Sequence, residues 1–147
     1  MITIRLATDD DKAAIVRMST NFAEWTKHSL TLRASVDRVP SVVGVGLERF
    51  AIYIAWDKNI EVGFISLHTF MHPWVGEKIC EVVTIWTELD ARPSWRVGWK
   101  LLVAAQDWAT TNGCAWLKMS SPTGSPLGTF LERRGFSELE TAWVKRL

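Results

Sequence analysis

Apolar positions recur along this chain in two periods, and the change from one to the other marks its elements. Ile2, Ile4 and Leu6 alternate with polar residues, which predicts a first strand. Thr8 followed by Asp9, Asp10 and Asp11 has the chemistry of a helix start: a capping hydroxyl, then acids that suit the positive end of a helix dipole. Ile15, Met18, Phe22 and Trp25 then recur at helical spacing and predict a helix of four to five turns. A second, less regular helix is expected near Leu32–Val39, ending at Pro40, with a further turn over Ser41–Glu48.

The period then shortens to that of strands. Phe50–Trp56 is a β-rich apolar run, Asp57-Lys58-Asn59 is turn chemistry, and Glu61–Phe70 reads as the paired strand of a hairpin. A loop runs from Met71 to Gly76, and Glu77–Thr87 predicts a third long strand. Val97–Thr111 reads as a helix, with Val97, Leu101, Ala104, Ala105 and Trp108 inward, stopped by Asn112-Gly113. Ala115–Met119 is a short strand. Ser125-Pro126 opens a short helix with Leu127, Phe130 and Leu131 inward and Gly135 at its end. Leu139–Leu147 reads as a last strand. The order β-α-α-β-β-β-α-β-α-β predicts one mixed α/β domain over residues 1–147, a mostly antiparallel mixed sheet flanked by helices.

Composition narrows the function classes. The chain is 48% hydrophobic and 22% charged, which fits a folded domain with its own core. A net charge of +1 argues against a generally basic nucleic-acid binder. No apolar run approaches membrane-spanning length, and the N-terminus has no signal-peptide core. Cys80 and Cys114 lack motif spacing and read as reduced core residues of a cytoplasmic protein. Nine tryptophans are an excess, read first as core and interface packing.

The stretch Asp90–Leu102 carries the clearest chemistry. A strand ending at Thr87 leads through a basic turn with a glycine into a helix start. Backbone N–H groups at a helix N-terminus and the positive dipole end attract anions, and Arg92, Arg96 and Lys100 add charge there.

Three segments together resemble the GNAT-type N-acetyltransferases over essentially the whole chain. Ile4–Asp11 resembles the family's strand-to-helix opening. Arg92–Leu102 resembles its Arg/Gln-x-x-Gly-x-Gly/Ala cofactor loop, and Phe130–Phe136 its late helix ending in Gly-Phe. The resemblance implies acetyl-CoA as cofactor and transfer of its acetyl group to an amine. It implies that backbone groups of Ser94, Trp95, Arg96, Val97, Gly98 and Trp99, with Lys100, hold the pyrophosphate. Backbone groups of Ile85, Trp86 and Thr87 would hold the pantetheine arm. A homodimer is a further family expectation, and the partner is a small-molecule or peptide amine, with no nucleic acid and no membrane.

The sequence departs from the family pattern at three places. Pro93 and Arg96 stand where an arginine or glutamine and a glycine are usual. Leu131 stands four residues before Gly135, where many members carry a tyrosine that protonates the leaving thiolate. Glu81, on the strand four residues before Ile85, is the candidate base that deprotonates the amine. Glu88 reads as turn structure, Tyr53 as a core residue, His68 and His72 as hairpin histidines without a metal set, and Arg133-Arg134 as a solvated helix end. Ser120, Ser121 and Thr123 come after the short strand, where a hydroxyl can stand in for the missing tyrosine. The alternative reading is a catalytically weak or inactive CoA-binding or protein-interaction module, motivated by Leu131 and Arg96.

Overall fold

A computed structural model describes residues 1–25, 49–121, 124–141, 143 and 145. The helix expected near Leu32–Val39 and the turn over Ser41–Glu48 lie outside them. The described elements are β1 (Ile2–Leu6), α1 (Lys12–Trp25), β2 (Phe50–Asp57), β3 (Ile60–Met71), β4 (Lys78–Thr87), α2 (Arg96–Thr111), β5 (Trp116–Met119) and α3 (Leu127–Glu132). The strands form one sheet in the order β1-β2-β3-β4-β5. Every pairing is antiparallel except β4 with β5, which is parallel.

Local chemistry sets the joints. β1 does not run straight into α1: a 3-10 turn over Asp9–Asp11 comes first. Its hinge is Asp11, which is buried and accepts hydrogen bonds from the Thr8 N–H (2.7 Å) and from both Arg5 terminal nitrogens (2.7 and 2.9 Å). Between β2 and β3, Lys58 and Asn59 both take positive φ (48° and 70°), the two-residue turn that matches strand twist.

Among the described residues, α2 and α1 pack on opposite faces of the sheet. Ala51, Ala55, Ile65, Leu67, Cys80 and Val82 pack with Val97, Leu101, Ala105 and Ala109 of α2. On the opposite face Ile52, Ile54, Phe64 and Trp86 pack with Ile15 and Met18 of α1. Burial of this kind stabilises by roughly 25 cal/mol per Å² of apolar surface removed from water. Burial also pushes the Cys80 thiol up to about 12, which keeps it an inert core group. Tyr53 lies against the α2-side core, and burial raises its phenol likewise.

Of the last strand expected from the sequence, the described residues 139–141, 143 and 145 are not in a strand. The alternation is there, but the partner face is not. Leu139 and Trp143 stay 83% and 90% exposed, and no buried face fixes a register. Glu140 reaches β5 only through an ion pair with Lys118 at 2.6 Å. Among the described residues, no helix is long and apolar enough to cross a membrane.

Candidate active site

The site begins with an irregularity in β4. Ser66 pairs with Thr84, but the next residue of β3, Leu67, pairs with Val82. Val83 is therefore an extra residue, a β-bulge, and its side chain is 53% exposed. Bulges bend a strand and re-aim the residues beyond them. β5 pairs with β4 only from Ile79↔Trp116 to Val82↔Met119, ending where the bulge begins. Beyond it the two strands part, and the outer edge of β4 has no neighbouring strand among the described residues.

The ladder decides which backbone groups face that gap. The Glu88 N–H donates to the Val62 carbonyl at 2.9 Å. Bonded positions alternate along an antiparallel pair, so Thr84 and Trp86 turn their N–H and C=O toward β3. Consistent with this, the Trp86 carbonyl oxygen lies 2.6 Å from where a Cβ on Gly63 would stand. Ile85 and Thr87 consequently present their backbone groups to the open side. Of the three residues expected to hold a pantetheine arm by backbone, Trp86 is thus corrected: its backbone is committed to the sheet, and its side chain packs under α1.

A 3-10 turn over Leu89–Ser94 carries the chain from β4 to α2. Trp95 then adopts the left-handed region (φ 53°, ψ 0°), which turns the chain into the helix axis. Bulky residues occupy this region only when surrounding structure holds them there. The holder is α3. The Trp95 ring stacks on Phe130 (centroids 4.7 Å, 14°), Trp99 meets the edge of Phe130 (6.4 Å), and the Arg134 guanidinium lies 4.1 Å from the Trp99 ring centroid.

The residues expected to form an anion cradle lie at the start of α2 and in the turn before it. Arg96, Val97 and Gly98 begin α2, where N–H groups have no acceptor inside the helix. The Trp99 N–H, also expected in the cradle, instead donates to the Trp95 carbonyl at 2.9 Å. Lys100 is corrected as well: its Nζ donates to the Ile2 carbonyl at 2.7 Å, which ties α2 to β1 and draws the charge toward the β1 edge of the sheet. Ser94 lies in the preceding 3-10 turn.

Where β4 and β5 part, a cavity of about 780 Å³ opens. Its walls are β4 from Glu81 to Thr87, the end of β5 with Ser120 and Ser121, Gly98 and Leu102 of α2, Leu127, Phe130 and Leu131 of α3, and Phe22 and Trp25 of α1. The sequence reading gave Phe22 and Trp25 only as positions of the helical period. Their spacing of three residues at the end of α1 was the only signal that they share a face. Residues 71–76 do not line the cavity, because that loop joins the opposite end of β4.

Glu81 is the only charged residue among the described lining. It is partly exposed and stands 4.0 Å from Lys118. Lys118 also binds Glu140, whose hydrogen bond holds the ammonium above the usual lysine range. Glu88 lies outside the lining and is held by Arg17 (2.9 Å) and Asn21 (3.3 Å), a structural role. His68 stacks on Phe70, and the His72 Nδ1 accepts long bonds from the Trp74 and Val75 N–H groups (both 3.4 Å). Leu131, buried in the cavity wall, offers no proton.

No protein-family model matches the sequence, and no curated protein matches it. Solved structures do. A transcriptional regulator from Bacillus halodurans C-125 superposes with a TM-score of 0.82 at 19% identity, covering 100% of both chains. A ribosomal-protein-alanine N-acetyltransferase from Brucella melitensis biovar Abortus 2308 superposes at 0.76 with 16% identity, covering 99% of each chain. AAC(6')-Iy, in complex with the bisubstrate analog CoA-S-monomethyl-acetylneamine, superposes at 0.77 with 17% identity, covering 100% of this chain and 98% of that one. The order of elements, the mixed sheet and the whole-chain superpositions agree: this chain has the fold of the GNAT acetyltransferases.

Proposed function

We propose that this protein is an acyl-CoA-dependent N-acetyltransferase, which moves an acetyl group from acetyl-CoA to a primary amine by direct attack in a ternary complex. The observation that carries this reading is the parting of β4 from β5 at Val83. It leaves the backbone of Ile85 and Thr87 facing an apolar cavity that ends at the first turn of α2.

The residues present fit such a cofactor. A Cβ built on Gly98 meets only Thr87 Oγ1, at 3.9 Å, so a side chain there would grow into the cavity rather than into protein. That is the space a phosphate needs to reach the N–H groups of the first helical turn. The Ile85 and Thr87 edge offers donors and acceptors for an amide-bearing arm, in the manner of an added strand. Bound acetyl-CoA supplies a thioester carbon: the amine nitrogen bonds to it, the C–S bond breaks, and the CoA thiolate leaves and takes up a proton.

The chain's own residues handle protons and position. Glu81 accepts the proton that the attacking amine must lose, directly or through a water, and passes it to solvent. Ser120 and Ser121 line the cavity on the β5 side and offer hydroxyls to the departing sulfur, since Leu131 has none to give. Leu131 also favours one second reading, a CoA-binding module with little or no transfer. Thiol release from acetyl-CoA across a panel of amines separates the two. Release with a matching amide product supports the enzyme; acetyl-CoA binding without release on any amine supports the module.

A further inference from the structure

We propose that Lys118 is a positioning residue for the acetyl transfer, and that Glu140, in the segment after α3, sets how much of its charge Glu81 receives. This rests on the acetyltransferase reading, in which Glu81 is the base, and names what governs that base.

The three groups come from three parts of the chain and meet on one face. Side chains alternate along a strand, and Cys80 and Val82 pack with α2, so Glu81 faces the other side of the sheet. Leu117 and Met119 also pack against the α2-side core, which turns Lys118 to the same side as Glu81. Glu81 pairs directly with Lys118, one pair before β4 and β5 part. The Lys118 Nζ stands 4.0 Å from Glu81 Oε1, too far for a hydrogen bond but close enough for its charge to act. It donates instead to Glu140 Oε1, at 2.6 Å.

That division of contacts suits a base. A base needs a carboxylate that is ionised and still open to a proton. An ammonium 4.0 Å away favours the ionised form without occupying the oxygen that takes the proton. Glu140 keeps the ammonium at that distance, and its hydrogen bond keeps Lys118 protonated above the usual lysine range. From β3, His68 pairs directly with Glu81 and so shares its face, with its ring stacked on Phe70. From α1, Phe22 and Trp25 reach the same cavity, and neither titrates. Among the described residues His68 is therefore the second titratable group to separate from Glu81.

The test uses the full chain with acetyl-CoA and whichever of four probe amines turns over fastest: 2-phenylethylamine, ethanolamine, spermidine or kanamycin. The readout is the acid limb of the kcat profile at low salt, which reports groups of the bound complex rather than the free amine. Lys118 and Glu81 are 35% and 36% exposed, so solvent screening limits the expected shift to about 0.5 pH unit. Lys118→Met should move the limb upward by that amount, and Lys118→Arg should restore it. Glu140→Gln should move it downward, because the released ammonium turns to Glu81. Added salt at about 1 M should shrink both shifts. Opposite shifts from the two ends of one ion pair do not follow from loosened structure. A limb unmoved in both Lys118→Met and Glu140→Gln, or moved the same way in both, overturns this inference alone. A limb that disappears in His68→Gln belongs to the histidine and overturns it too. No thiol release with any of the four amines overturns the acetyltransferase reading and this inference with it.

Discussion

Glu81 and Lys118 face each other across a parallel pairing, 4.0 Å apart, one residue before β4 and β5 separate. The only charged group of the described cavity lining thus stands at the apex of the gap, where the proposed reading brings an amine to a thioester. If Glu81 is the base, Glu81→Gln lowers kcat by roughly 10²-fold while leaving acetyl-CoA affinity unchanged. Steady-state kinetics with parallel calorimetry read both quantities, and an unaltered kcat would remove Glu81 from the chemistry.

Trp95 tests how the helix end is held. Its left-handed backbone costs about 1–2 kcal/mol in a residue with a Cβ, and its stack on Phe130 offsets that cost. Trp95→Ala loses the stack and keeps the strain, whereas Trp95→Gly loses both. The glycine variant should therefore be the more stable of the two by about 1 kcal/mol, the reverse of the usual helix order. Urea melts of the pair decide it; alanine equal to or above glycine would contradict the strained geometry.

Gly63 is a close-approach glycine. An added Cβ would stand 2.6 Å from the Trp86 carbonyl oxygen and 3.1 Å from Val97 Cγ1. Backbone on one side and a core side chain on the other leave no room, so Gly63→Ala should destabilise by about 1–3 kcal/mol. A thermal midpoint unchanged from wild type would show that β3 and β4 can separate there at no cost.

The Arg5–Asp11 pair predicts acid behaviour. Hydrogen bonds from Arg5 hold the Asp11 carboxyl below its ordinary value of 3.8. A depressed folded-state value means a contribution present above the unfolded value and lost as pH falls through the folded one. Asp11→Asn should cost about 1–3 kcal/mol near neutrality, given that Arg5 is half exposed, and much less near pH 2. Denaturant titrations at the two pH values test this, and an equal loss at both would assign the effect to packing instead.

The framework was legible in the sequence because its signals are local. Alternation at Ile2–Leu6, the β-rich apolar run at Phe50–Trp56 and the helical spacing of Val97, Leu101 and Ala105 each name an element without reference to the rest. The start of α2 was legible for the same reason, since Gly98 and the basic turn are contiguous. The illegible features depend on partners distant in the chain. The bulge at Val83 exists only as a register shift against Ser66 and Leu67. Lys100 looks like a phosphate ligand until the Ile2 carbonyl claims it. Trp86 lies within the right strand but faces the wrong way, which only the phase of the β3–β4 ladder reveals. Leu139 and Trp143 fit the pattern of a strand, but both side chains stay exposed.

Acetyl-CoA binding in the gap between β4 and β5, closed by the first turn of α2, is the central claim. Gly98→Glu addresses it directly. The new side chain has room in the fold and suits the helix N-terminus, so the thermal midpoint should not fall. It should also fill the cofactor's space with negative charge. Calorimetric titration is expected to give saturable acetyl-CoA binding to the wild type and at least about 10-fold weaker binding to a folded Gly98→Glu variant. No binding to the wild type, or equal binding to both, would contradict the claim.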